Sequence, residues 1–132
     1  MTFQLDSRLE ADTVLVGDWP LCRVLLMNDA RYPWLVLVPR RAGMVEIADL
    51  APPDRAILME EIIRASEVLR SLPGVTKLNV GALGNVVRQL HVHVVGRRAG
   101  DPAGAGPVWG HSPAVPYDTG ARDRLLALVR AR

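Results

Sequence analysis

Disulfides are the first thing this chain of 132 residues lacks, since Cys22 is its single cysteine. Cys22 sits in an apolar run with Arg23 as its one cationic neighbour, which suits a small buried hydrophobe better than a nucleophile. Lysine is almost absent as well: Lys77 stands against 15 arginines, and the formal net charge is only +2. So weak a surplus gives no sign of a nucleic-acid binder. The arginine excess fits the codon usage of a GC-rich gene, or a few guanidiniums serving phosphate. No apolar run approaches the roughly 20 residues of a membrane span. The stretch from Met1 to Asp12 carries acids and no apolar signal region, so the cytoplasm is the expected location. Internal repeats and a linker are also missing, and one domain over 1–132 is expected.

What is present is an ordinary globular composition, 49% apolar and 23% charged. The local patterns predict a helical turn near Arg8–Ala11, a strand from Asp12 to Val16, a turn at Gly17-Asp18 and a second strand over Leu21–Met27. Trp34 to Val38 is a short apolar, β-branched run that suits a central strand buried on both faces. A short helix over Val45–Leu50 precedes one long helix over Pro52–Leu72, opened by proline and closed by Pro73-Gly74. Its apolar stripe is Leu58, Ile62, Ala65, Leu69 and Leu72, with Glu60, Glu61, Arg64, Glu67 and Arg70 largely opposite. Strands over Val75–Gly81 and Val86–Val95 follow. Gly96 to Pro116 reads as loop, and Asp118–Arg132 as a C-terminal helix. Strands joined by short connections beside one long helix argue for an α+β fold: an antiparallel sheet of about five strands, the long helix and a C-terminal helix.

The most informative stretch is Gln89-Leu90-His91-Val92-His93-Val94-Val95. In a strand, Leu90, Val92 and Val94 share one face, and Gln89, His91 and His93 share the other. Two of the chain's three histidines then stand roughly 7 Å apart along the backbone. Three chemistries suit such a row. A neutral imidazole can attack phosphorus and leave again, with its neighbour bonding or protonating the departing oxygen. The loop Gly81-Ala82-Leu83-Gly84-Asn85 would supply backbone N–H groups to phosphate. Alternatively, two histidines at this spacing can ligate a metal, with Gln89, His111 or an acid completing the set. Or the imidazoles are packed groups satisfied by internal partners. His111, in the Gly/Pro-rich loop beside Trp109, suits a surface role. Trp109 could cap a base pocket or pack between subunits.

This stretch resembles the motif of the histidine triad (HIT) superfamily: His, any, His, any, His and two apolar residues. The match includes two of the three histidines, with Gln89 at the first triad position. Asn79 before a Gly-containing loop, Gly84-Asn85 ahead of the motif, Gly96 to Asp101 after it, the Trp34–Arg40 strand and Met27-Asn28-Asp29 also resemble family features, so the likeness covers roughly residues 10–110. The resemblance implies a half-barrel α+β fold, usually dimeric. It also implies a diadenosine polyphosphate hydrolase-like enzyme that cleaves dinucleoside polyphosphates or nucleoside phosphoramidates through a nucleotidyl-histidine intermediate. Carried over by position, His91 is the nucleophile, His93 assists the bridging oxygen and Gln89 is the altered third member. Asn28 would hold the ribose, while Asn79, Gly84 and Asn85 would contact phosphate or orient the loop. A nucleotide and a second copy are the implied partners, with no nucleic acid or membrane. The covalent step needs no cofactor or metal, although Mg²⁺ could bind the substrate's phosphates. A nucleotide-binding regulatory module that lost the chemistry is the alternative reading.

Overall fold

The structure, a computed structural model, describes residues 2–132. Helix α1 (Ser7–Asp12) leads into β1 (Thr13–Asp18), β2 (Cys22–Met27) and β3 (Trp34–Pro39). A short 3-10 turn (Ile47–Asp49) precedes α2 (Pro52–Arg70), followed by β4 (Val75–Gly81), β5 (Val92–Arg98) and α3 (Thr119–Arg130). The five strands form one antiparallel sheet in the order β1-β2-β3-β5-β4. β3 lies at its centre and is buried along its whole length, as its uninterrupted apolar sequence requires.

Alternation divides the sheet into two packed faces. Leu35 and Leu37 of β3 join Val92 and Val94 of β5 under α2, against Leu58, Ile62, Ala65 and Leu69. Trp34, Val36 and Val38 point the other way with Val95, and pack with Tyr32, Leu9 of α1 and Val108 of the loop after β5. Each fully buried Leu or Val side chain contributes about 1.5–3 kcal/mol before conformational entropy is counted. Glu61 departs from the expected solvent side of α2 and is buried. Its carboxylate accepts the N–H groups of Leu21 and Cys22 at 2.9 and 2.8 Å, closing the turn between β1 and β2. Cys22 beside it is fully buried, and that burial pushes its thiol pKa up, as expected of a small core residue.

Several boundaries differ from the sequence pattern. Gly17 and Asp18 belong to β1, where the register shifts between Leu15 and Gly17. The turn falls instead at Trp19–Leu21, closed by the Trp19 N–H on the Cys22 carbonyl. The histidine strand starts at Val92 rather than Val86, because pairing with β3 begins at Leu37↔Val92. The Leu90 N–H goes to the Met44 carbonyl, and Gly84 turns the chain at φ +71°. Residues 82–91 are therefore a loop, longer than the short connection expected. At its far end the strand runs on to Arg98, because β4 continues to pair with it there.

Candidate functional site

Although β5 begins only at Val92, alternation carries back through residue 90. Leu90 packs on the α2 side with Val92 and Val94. His91 and His93 lie on the opposite face with ring centroids 4.9 Å apart, each 6% exposed. Their hydrogen-bond partners fix two different tautomers. His91 Nδ1 lies 2.7 Å from the Gln89 carbonyl oxygen. That oxygen only accepts, so Nδ1 carries the proton and the Nε2 lone pair of the neutral ring is free. Trp34 Nε1 donates to His93 Nδ1 at 3.0 Å. An indole only donates, so Nδ1 is bare and Nε2 carries the proton. Burial, and after it the charge of His91, lowers the His93 pKa to about 4. The pair therefore presents a free lone pair on one ring and an N–H on the other, with no net charge required.

Two cavities of unlike chemistry flank this pair. On the His93 side, a pocket of about 230 Å³ is walled by Met27, Trp34, Val108 and Trp109, with Asp29 and Arg31 at its polar end. Trp109 packs edge-on to His93, with centroids 5.5 Å apart. Gly81 permits that seat, since a Cβ there would lie 3.3 Å from the indole. Arg31 ties Asp29 to the loop after β5 by bonding both the Asp29 carboxylate and Ser112. Burial works to raise the Asp29 pKa, but these bonds outweigh it and hold the group below its ordinary value. On the other side, His91 lines a small polar cleft with Glu46, Ala82, Leu83, Gly84, Arg88 and Gln89.

The other expected site residues are scattered. Gly84 reaches the His91 cleft, whereas Asn85 is exposed and points to no cavity found around the pair. Asn28 Oδ1 accepts the Tyr117 N–H at 3.0 Å, and its side chain lines a separate pocket. In that turn it is Asp29 that lines the same pocket as His93. Asn79 Oδ1 accepts from Arg97 at 2.9 Å and lines a larger cavity behind Trp109. His111 is exposed and paired with Ser112. Sequence reasoning missed Trp34 as a histidine partner because it read as one more residue of a buried strand. Its place two residues before Val36, which pairs with His93, was the available signal. Arg88 was hidden among the chain's many arginines. Among the described residues, no cluster of three or more His, Cys, Asp or Glu side chains gathers to hold a metal.

Gln89 is the most changed of the expected residues. Its side chain turns away from the imidazoles, accepting the Asp6 N–H and donating to the Gln4 carbonyl, both at 2.8 Å. Its carbonyl alone serves His91. Gln89 thus ties down the N-terminal segment whose Phe3 and Leu5 pack onto the histidine face. Gln89→Ala is expected to release residues 2–6, seen as faster amide exchange there, while lowering stability by roughly 1–2 kcal/mol. Unchanged exchange at Asp6 would contradict this role.

The fold is an open antiparallel sheet carrying two oriented imidazoles at the start of β5, its fourth strand in spatial order. The sequence matches the HIT domain family over residues 8–100, and the chain belongs to that family. Its members are nucleotide-binding hydrolases or transferases. A search of curated protein sequences found no significant match. Among solved structures, a histidine triad protein from Bradyrhizobium japonicum is 46% identical with TM-score 0.97, covering 99% of this chain and 98% of its own. One from Sinorhizobium meliloti is 47% identical with TM-score 0.95, covering 98% and 96%. One from Marinobacter aquaeolei is 46% identical with TM-score 0.96, covering 99% and 96%. No helix among the described residues is long and apolar enough to cross a membrane.

Proposed function

We propose that this protein is a nucleotide hydrolase or nucleotidyl transferase working through a covalent nucleotidyl-His91 intermediate. The substrate is a dinucleoside polyphosphate or a nucleoside phosphoramidate. The observation that carries the reading is the bond from His91 Nδ1–H to the Gln89 carbonyl, which leaves the Nε2 lone pair free for phosphorus. In the first step Nε2 bonds to the α-phosphorus, and the bond from phosphorus to the leaving group breaks with its electron pair going to that group. The positive charge that develops on the His91 ring is stabilised through Nδ1–H by the same carbonyl. His93 Nε2–H donates a hydrogen bond to the reacting phosphoryl oxygens. In the second step water bonds to phosphorus, the P–N bond breaks, its pair returns to Nε2 and the water's proton passes to solvent. In a transferase, another acceptor replaces water.

The aromatic pocket beside His93, at about 230 Å³, is small for a whole ligand and suits a base rather than a complete nucleotide. Asp29 at its polar end is the better placed ribose contact, although its bonds to Arg31 leave it only partly available. Asn28 and Asn79 act here as structural ties of the loops around the site. The test is mass spectrometry of protein quenched during turnover of diadenosine tetraphosphate: an added AMP on the peptide containing His91 is expected. Binding of the nucleotide with neither adduct nor product would leave the regulatory module, the reading that Gln89 favours by standing outside the imidazole pair.

The proposed unit is a homodimer. β4 is an open edge of the sheet, with Val80 49% exposed, and α2 exposes Met59 and Ile63 at 55% and 47%. Sedimentation equilibrium is expected to give twice the chain mass, and a monomer at micromolar concentration would refute it.

A further inference from the structure

His93 has two roles open to it, bonding the departing oxygen or protonating it, and what stands behind its ring bears on the choice. The two imidazoles are backed by groups of opposite polarity. Behind His91 is an acceptor, the Gln89 carbonyl, 2.7 Å from Nδ1. An acceptor there supports a ring that becomes positively charged, as a nucleophilic or acid–base histidine does. Behind His93 is a donor, the indole N–H of Trp34, 3.0 Å from Nδ1. An imidazolium carries a proton on both nitrogens. Forming it on His93 would set two N–H groups head to head, and the Trp34 bond would be lost. Giving up the Nε2 proton from the neutral ring would instead leave an imidazolate, an anion far too basic to form at neutral pH.

The packing leaves neither ring room to relieve that clash. Trp34 is 7% exposed and stands edge-on to Tyr32 and Trp109, with centroids 6.4 and 6.3 Å away. His93 is held between Trp34, Trp109 and His91, with centroids at 5.6, 5.5 and 4.9 Å. Trp34 pairs with Val95 and Val36 with His93, so indole and imidazole lie diagonally on one face of neighbouring strands. The charged groups nearby do not reverse the preference. His91 lies on the same strand, and a positive charge there disfavours a second one on His93. Asp29 and Arg31 line the polar end of the pocket and are paired with each other at 2.9 Å. β3 and the loop after β5 bring no charged group to the pocket.

We propose that Trp34 is a positioning residue of the reaction: its indole N–H holds His93 as a neutral ring with the proton on Nε2, so that His93 is a fixed hydrogen-bond donor and hands no proton to the leaving group. The proposal rests on the nucleotidyl-His91 reading and assigns the proton in its first step. His91 Nε2 bonds to the α-phosphorus, the bond to the leaving group breaks, and that group departs with the electron pair. The proton it takes up afterwards comes from solvent. His93 keeps its Nε2 proton throughout and directs it at the phosphoryl oxygens, where negative charge builds up.

Long-range proton–nitrogen correlation spectra of the isotope-labelled protein read the tautomer directly. Wild-type His93 is expected to carry its proton on Nε2 alone and to stay neutral until the pH approaches 4. Trp34→Phe removes the donor. So does replacing the Trp34 indole with benzothiophene, in which sulfur takes the place of the N–H and the size of the ring is kept, so that folding and the pocket wall are preserved. Without the donor the Nδ1–H form should appear, and the titration midpoint of His93 should rise by about 0.5–1 pH unit. The kcat for diadenosine tetraphosphate should fall about three- to tenfold, the worth of one hydrogen bond. In the benzothiophene protein KM should stay within about twofold, because the lost bond acts through His93. Across aryl esters of AMP, wild-type kcat/KM should fall steeply as the departing phenol becomes more basic, since no proton meets its oxygen. A flat series, a proton on Nδ1 of wild-type His93, or an unchanged tautomer and kcat once the indole N–H is gone overturns the role of Trp34 while leaving adenylyl-His91 intact. Turnover of none of these substrates, with no adduct on His91, overturns the enzyme reading and the role of Trp34 together.

Discussion

His91→Ala is expected to abolish turnover, lowering kcat by roughly 10⁴-fold or more, while the protein stays folded. The size follows from the chemistry. No other described side chain offers a free imidazole lone pair on that face, since His93 has its Nδ1 filled by Trp34 and keeps its proton on Nε2. Neither His93 nor water in the same pocket replaces a covalent route. The variant should also lose the AMP adduct. Because His91 is buried, some loss of stability, about 1–3 kcal/mol, is expected on truncation, so a melting curve must accompany the rate. His91→Gly offers a sharper control. The Gln89 carbonyl remains to orient an added imidazole, so millimolar imidazole should recover part of the rate in the folded variant. Turnover of His91→Ala at the wild-type rate would refute the nucleophile.

Arg97→Ala is expected to have the largest effect on stability, about 3–5 kcal/mol, a substantial part of what a domain of this size possesses. Arg97 is 8% exposed, and its guanidinium serves the Asp101 carboxylate, Asn79 Oδ1 and the carbonyls of Gly104 and Gly106, all at 2.8–2.9 Å. Removing it leaves the Asp101 carboxylate, 6% exposed, without its counter-charge, and frees the loop that carries Trp109 to the histidine pocket. Arg97→Lys should recover little, because one ammonium cannot reach a fork of acceptors. The pH dependence provides a second readout. The Arg97 fork, against the opposing effect of burial, pulls the Asp101 pKa from 3.8 to about 2. Its stabilisation is complete above its unfolded pKa and is lost as pH falls from about 4 to about 2. His93, lowered from 6.5 to about 4, acts in the window above: the unfolded chain binds its proton first, so stability falls as pH drops from 6.5 to about 4. Thermal melts of the wild type should therefore decline through both windows. In Arg97→Ala the decline through the upper window should remain and the lower should shrink by the share of Asp101, while Asp29, held by Arg31, keeps its own. An Arg97→Ala protein with the wild-type melting curve and acid profile would show that this network does not hold the loop.

Which parts of this were legible in the chain depends on the range over which each signal acts. The period-two pattern of Leu90 to Val95 assigned His91 and His93 to one face, and the structure keeps them there although the strand begins only at Val92. The apolar run of β3 and the proline-opened α2 were equally plain, because burial on both faces and helix initiation are local demands. Glu61 was misplaced because a helical wheel records spacing, not the two backbone N–H groups that a distant turn presents to that carboxylate. Residues 86–91 looked like strand because they are β-prone, while pairing depends on a partner that the sequence does not specify.

By itself, then, the sequence determined that this is an antiparallel α+β protein with two histidines on one sheet face, since side-chain period and turn chemistry are encoded residue by residue. The tertiary structure decided what those histidines are. Tautomer depends on contacts from residues remote in the chain or from the backbone itself: Trp34 fills one nitrogen of His93, and the Gln89 carbonyl takes the proton of His91. It also moved Gln89 from a third member of the imidazole row to a clasp on the N-terminal segment, because that amide meets the backbone at Gln4 and Asp6 only once the chain has folded.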